Sequence, residues 1–294
     1  MRKTRLDGIG VAMLFAVQGL LAVNQILIKL VNEGLQPVFF AGLRSALAVL
    51  FVWAWLVWKR RPPRLNRAAL APGLVIGAVF AAEFLCLFLA LDLTTVGRAS
   101  VIMYSMPVWF AILAHFGLGE RITPTKAAGL VLAFAGCATA ILSRPPTGEA
   151  SLIGDLCALG AALGWALTAY VARRPVMRAE GPEMQLFWMV LVSAPILLVV
   201  APAFGPLIRD LQPLHLAGLL FQASVVVAGG FITWLWLMSV YPSSTVASFS
   251  FLPPILAVLL GALIFGESVT WAILLAAGLV AAGIVLINRT PARA

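Results

Sequence analysis

Residues 97–121 read GRASVIMYSMPVWFAILAHFGLGER, and residues 244–268 read STVASFSFLPPILAVLLGALIFGES. The two stretches are 147 residues apart, half the chain length. At that one shift Pro107 falls on Pro254, and Gly119-Glu120 falls on Gly266-Glu267. Further along, Ala135-Gly136 falls on Ala282-Gly283. An Ala-Gly match alone arises readily in an alanine-rich chain. Proline, Gly-Glu and Ala-Gly in one order at one spacing mark an internal duplication. The expected units are residues 1–146 and 147–294.

Both copies are apolar, and so is the rest of the chain. Its 294 residues are 62% hydrophobic and 11% charged, with mean hydropathy +1.04. A soluble domain is about 45–50% apolar and about 25% charged. No soluble globule of this length hides so much apolar surface, so the solvent is lipid. A soluble enzyme, a disordered scaffold and a nucleic-acid module are excluded. The net charge of +9 reads as membrane topology, because the basic residues flank apolar runs. Cys86, Cys137 and Cys157 lie inside such runs and read as small apolar residues. The opening MRKTR and its apolar run exceed a signal peptide and carry Asn24 and Lys29, so they read as a first transmembrane helix.

A bilayer-spanning helix needs about 20 apolar residues. Ten runs qualify: 8–31, 37–58, 68–91, 97–118, 124–143, 151–173, 183–204, 213–240, 243–265 and 270–288. None shows the short alternating pattern of a membrane β-barrel. The expected fold is an all-α membrane protein. With the N-terminus inside, fifteen Lys and Arg residues are cytoplasmic and only Arg98, Arg144 and Arg209 are external. Both termini are therefore expected in the cytoplasm. The run Lys59-Arg60-Arg61 reads as an orientation anchor rather than a lipid site. Five spans per unit put the two units in opposite orientations, the inverted repeat that secondary transporters share.

Depth follows from a rise of about 1.5 Å per residue. Pro107 comes near the centre of the fourth run, and Pro253-Pro254 near the centre of the ninth. Each removes a backbone donor, which lipid tolerates only against protein or a watery cavity. They are candidate hinges, or else packing kinks. Asn24, Arg44, Glu83 and Tyr104 all fall roughly 5–7 Å from the midplane, on the external side. Arg44 and Glu83 are the deep charges, and Lys29 is nearer the surface, where it could snorkel. The pair could serve as counter-charges for the carboxylate and ammonium of a substrate, or as a structural ion pair. In the second unit the deep polar residues are neutral, among them Gln222, Thr233, Ser248 and Ser250. Trp165 and Tyr170 complete the expected pocket wall. Gly73 with Gly77, and Gly160 with Gly164, would permit close helix approach.

His115 and His215 lack metal-ligand spacing, and no HExxH, GxSxG or P-loop pattern occurs. No enzyme activity, cofactor, metal or nucleic-acid partner is expected.

Several segments carry a resemblance. Ala99-Ser100 through Pro107 to Gly119-Glu120-Arg121, and Ala247-Ser248 through Pro254 to Gly266-Glu267-Ser268, resemble the paired signatures of the drug/metabolite transporter superfamily, in particular its ten-helix EamA-type exporters. Asn24 with Lys29, Pro37 to Arg44, and Gly154-Asp155 through Trp165 to Arg173-Arg174 resemble further parts of that pattern; the family's Trp-Gly before the Asn is absent. Over the whole chain the resemblance is nearest to the YddG-type amino-acid exporters. It implies ten helices around a central cavity between the repeats, the fifth and tenth peripheral. It also implies export of amino acids, aromatic ones included, across a bacterial cytoplasmic membrane. Two rivals stay open: export of cationic drugs or other metabolites, and a channel or non-transporting scaffold.

Overall fold

The computed structural model describes residues 7–63, 66–119, 122–143, 151–240, 249 and 252–288. Glu120, Arg121, Arg144, Ser248, Ser250 and residues 241–247 lie outside the described residues. The described residues form helices joined by short connections, with one isolated bridge between Leu35 and Ile208.

The order is α1 (Gly8–Gly34), α2 (Pro37–Trp58), α3 (Arg67–Leu93), α4 (Val96–Met103), α5 (Met106–Leu118), α6 (Pro124–Leu142), α7 (Leu152–Ala172), α8 (Pro175–Glu180), α9 (Pro182–Val200), α10 (Pro213–Phe221), α11 (Phe231–Val240), α12 (Leu252–Phe265) and α13 (Trp271–Asn288). A π-helical segment, Gln222–Gly230, joins α10 to α11. Eight helical stretches are long and apolar enough to cross a membrane, α4 with α5 forming one of them. Leu252–Phe265 and Trp271–Ile287 are apolar but shorter.

Local chemistry sets the boundaries. Asp7, Gln36, Asn66, Thr95, Thr123 and Ser151 each accept a backbone N–H at a helix start. Proline opens α2, α6, α8, α9 and α10, where its missing N–H is not needed. The duplicated Gly-Glu segments end their helices alike. Gly119 has φ +69° and Gly266 has φ +65°, a left-handed conformation that a side chain would strain.

Packing pairs helices from the two halves of the chain. α3 lies along α7 and α9, α2 along α9, α4 along α12, α1 along α12 and α6 along α13. Glycines make the closest of these contacts. A Cβ on Gly73 or Gly77 would strike Trp188 or Val192 of α9. One on Gly160 or Gly164 would meet Cys86 or Glu83 of α3. One on Gly129, Gly136 or Gly283 would lie within 3 Å of a backbone carbonyl across the α6–α13 seam. Lipid offers no hydrophobic drive for helix association, so such close backbone approach supplies the dispersion that holds these pairs.

Buried apolar side chains form two large clusters. One draws on Ala41, Leu87, Ala99, Ala161 and Ala276. The other draws on Ala48, Phe80, Val171, Trp188 and Ala223. The loops gather at two ends. At one end Gln36 N donates to Leu207 O, Arg209 N to Gly34 O, and Ser151 N to Leu93 O. At the other, Asn66 on the loop before α3 donates to Glu180 on α8.

Candidate functional site

A polar seam runs between the two apolar clusters. On α2, Arg44 lies between Ala41 of one cluster and Ala48 of the other. On α3, Glu83 lies between Phe80 and Leu87; on α7, Thr168 lies between Ala161 and Val171. Arg44 is 2% exposed and Glu83 6%.

The guanidinium of Arg44 sits 3.9 Å from the ring centroid of Phe84 and 5.1 Å from that of Phe88. Phe84 and Phe88 are one helical turn apart, so α3 presents both to the same cation. The Nε of Arg44 is buried without a partner. No ion pair within 4.0 Å joins it to any described carboxylate. A cation at the bilayer centre costs about 2.5–3.5 kcal/mol on insertion scales. A desolvated cation–π contact returns about 2 kcal/mol. The rings alone leave the charge under-compensated.

Glu83 is in electrostatic reach of Arg44 but does not bridge to it. Its Oε2 accepts from Thr168 Oγ1 at 2.9 Å. That contact depends on Gly164, where a Cβ would come 2.9 Å from the Glu83 Cα. Of the two readings the sequence leaves open, direct pairing of Arg44 with Glu83 is not what the structure shows.

Tyr104, 3% exposed, lies at the break between α4 and α5 and meets Trp165 of α7 edge-on, centroids 5.6 Å apart. Trp165 shares its helix with Thr168, one turn away. Asn24 joins the second half through its carbonyl, which accepts from Gln222 Nε2 at 3.1 Å. Asn24 Oδ1 and Gln222 Oε1 are both buried without partners. Gln222 opens the π-helical segment, a departure from α geometry common at functional sites. Tyr170 stands apart. It packs with the cluster of Phe80 and Val171, beside Gly117, under the guanidinium of Arg174. Pro107 falls in the first turn of α5, directly after the break at Tyr104-Ser105. Pro253 and Pro254 are buried in the first described turn of α12.

Sequence reasoning missed Thr168, Phe84 and Phe88. The one-turn spacing of the two phenylalanines just after Glu83 was the available signal. It also missed the partner of Lys29, which does not simply snorkel. Lys29 Nζ pairs with Glu267 Oε1 at 2.7 Å and lies 5.1 Å from the Phe265 ring. Glu267 in turn accepts from the backbone N–H groups of Val96 and Gly97, at the start of α4. At the same end Arg98 pairs with Asp155 at 2.6 Å, and Arg209 with Asp92 at 2.6 Å. Bonding to Asp92 raises the pKa of Arg209 above the ordinary guanidinium value, so this guanidinium stays charged at any physiological pH.

Comparison with known proteins places this arrangement. An uncharacterized transporter, YvbV of Bacillus subtilis (strain 168), is 28% identical over 86% of this chain and 82% of its own length. A probable amino-acid metabolite efflux pump of Escherichia coli (strain K12) is 27% identical over 96% of this chain and 94% of its own. A solved crystal structure, 21% identical, superposes with a TM-score of 0.66 over 95% of this chain and 96% of that one, which shows a shared fold. The EamA-like transporter family model matches twice, over residues 8–142 and 152–289. With both halves matched and the apolar helices in place, the chain belongs to the EamA-like transporter family, within the drug/metabolite transporter superfamily.

Proposed function

We propose that this transporter exports amino acids, aromatic ones included, by alternating access of two inverted five-span repeats, residues 1–146 and 147–294. The carrying observation is the guanidinium of Arg44, buried beside two phenylalanines with no carboxylate bridging it. An α-carboxylate supplies the missing anion, and a bidentate guanidinium–carboxylate contact is strong where water is scarce. Glu83, held by Thr168, offers a counter-charge for the ammonium group. Phe84, Tyr104 and Trp165 offer faces and edges to an aromatic side chain. A hydrophobic cation suits Glu83 but meets the uncompensated charge of Arg44, which disfavours the drug-export reading. The relatives named as amino-acid metabolite efflux pumps point the same way.

Several features support ten spans and inversion. The family model matches each half once. Gly119 and Gly266 share one conformation. The pairings α2–α9, α6–α13 and α4–α12 map onto themselves when the halves are exchanged, and α3–α7 maps onto the contacts of α1 with α10 and the π-segment. α1 finishes at the end where α7 begins. Sidedness follows from charge: Lys59, Arg60, Arg61, Arg67, Arg173, Arg174 and Arg178 gather at one end, which the positive-inside rule assigns to the cytoplasm, with both termini. At the opposite end Lys29, Arg98 and Arg209 are each neutralised by a carboxylate. Those pairs close the outer end, and the seam opens outward when the contacts of α1 and α4 with Glu267 break. The membrane is that of the bacterial cytoplasm.

The test is a counterflow screen of the purified protein in proteoliposomes with the twenty amino acids, competed by hydrophobic cations. Saturable exchange of amino acids is expected. Exchange of cations alone, or flux without saturation or counterflow, sinks the reading.

A further inference from the structure

A second polar site lies at the cytoplasmic end, remote from the seam. A cleft of about 720 Å³ opens there between the end of α2 and the segment joining α8 to α9. One wall carries Lys59, Arg60 and Arg61, and the other carries Glu180 and Glu183. Opposite charges lining one cleft ordinarily collapse into ion pairs. Among the described residues no ion pair within 4.0 Å crosses this one. Lys59 lies 4.8 Å and 5.1 Å from the ring centroids of Trp55 and Trp58 instead. Glu180 accepts from Asn66, which is not part of the cleft lining. Trp55, also in the lining, has a buried Nε1 donor without a partner.

Backbone geometry maintains this separation. Arg60 has φ +55°, the only non-glycine residue among those described to adopt a positive φ. Arg61 N donates to Leu56 O, which closes the end of α2. The left-handed turn costs a non-glycine residue about 1 kcal/mol, and it makes the basic run a rim instead of another helical turn.

We propose that this cleft binds the headgroup of an aminophospholipid from the cytoplasmic leaflet. The phosphate lies against Lys59, Arg60 and Arg61, with the Trp55 N–H as a further donor. The ammonium lies against Glu183 and Glu180. A zwitterion satisfies both walls at once; a purely anionic headgroup satisfies one and leaves the carboxylates facing its charge. The membrane-facing side of α2 argues for a lipid over a free metabolite. Leu50, Trp53 and Val57 are exposed at helical spacing, leading away from the cleft toward the bilayer core. Acyl chains fit along that stripe, and interfacial tryptophans commonly mark the headgroup level.

Native mass spectrometry of the full-length detergent-purified protein tests this, with phosphatidylethanolamine, phosphatidylcholine and phosphatidylglycerol as probes. Retention of phosphatidylethanolamine above both others is expected, because methylation removes the N–H donors that the carboxylates accept. Lys59→Gln with Arg61→Gln should weaken it about thirtyfold, since each basic residue near the surface is worth about 1 kcal/mol. Glu183→Gln should abolish the preference over phosphatidylcholine while leaving phosphatidylglycerol retention equal or higher. Melting of each variant without added lipid is measured alongside, so that misfolding is told apart from lost binding. Equal retention of all three lipids, or a phosphatidylglycerol preference unmoved by Glu183→Gln, overturns the proposal. So does equal stabilisation by soluble glycerophosphoethanolamine, which would make the ligand a free metabolite.

Discussion

Arg98 on α4 and Asp155 on α7 face one another at 2.6 Å, their side chains 4% and 0% exposed. The pair ties the two halves of the chain together at the end that also holds Lys29 and Glu267. The guanidinium also donates to the carbonyl of Ser143, just past α6. Removing one partner of such a pair costs about 3–5 kcal/mol. Arg98→Met or Asp155→Ala is expected to lower the thermal unfolding midpoint in detergent sharply. Unchanged melting in both variants would contradict the buried pairing.

Lys29 and Glu267 form the weaker contact of the same end, with side chains 25% and 9% exposed. Glu267→Gln keeps one acceptor oxygen, enough for one of the two amides of Val96 and Gly97, and surrenders the charge. Bonds to charged groups are worth about 1.5–3 kcal/mol, discounted here for partial exposure. The variant should fold, yet favour an outer end that is open. A cysteine placed at Thr95 is expected to react faster with an impermeant maleimide in this background than in the parent.

Arg44→Gln is expected to separate stability from transport. The parent carries a buried cation without a bridging anion, so its loss should leave melting equal or improved. Affinity should suffer, because truncating one side of a desolvated charge contact costs about 2 kcal/mol or more, a rise in KM of about thirtyfold. Counterflow with a radiolabelled amino acid reads this directly. Retained affinity removes Arg44 from the substrate site.

Glu83→Gln probes coupling. As the only deep carboxylate in the seam among the described residues, Glu83 is the candidate proton carrier. If export is proton-coupled, this variant abolishes the pH dependence of uptake in proteoliposomes while still accepting from Thr168. Unaltered pH dependence removes the coupling, leaving facilitated diffusion down the gradient.

Gly164→Val should push α7 from α3, since the added Cβ meets Glu83 backbone atoms at 2.9 Å. Overpacking of this kind costs about 1–3 kcal/mol. Gly160→Ala should be milder, because its nearest neighbour is the Cys86 sulfur at 3.0 Å, at the end of a side chain. The two melting curves provide the comparison.

The apolar runs, the duplication and the charge asymmetry were legible in the sequence because each is a property of composition or spacing along one chain. Gly119 and Gly266 were legible as a repeat but not as two left-handed helix ends. Depth arithmetic brought Asn24, Arg44, Glu83 and Tyr104 to one level, since helical rise is nearly constant. It said nothing of azimuth, which is why Thr168 and Phe88 went unnoticed and why Tyr170 turned out to belong with the cluster of Phe80 and Val171. The ion pair of Lys29 with Glu267 was equally hidden, because it joins residues 238 positions apart.

The seam between α6 and α13 carries a further implication. Gly129 and Gly283 each leave room for the other's backbone carbonyl. A methyl group gained by either would demand that the opposite strand of the seam give way. Related chains should therefore vary at these two sites in concert, or not at all.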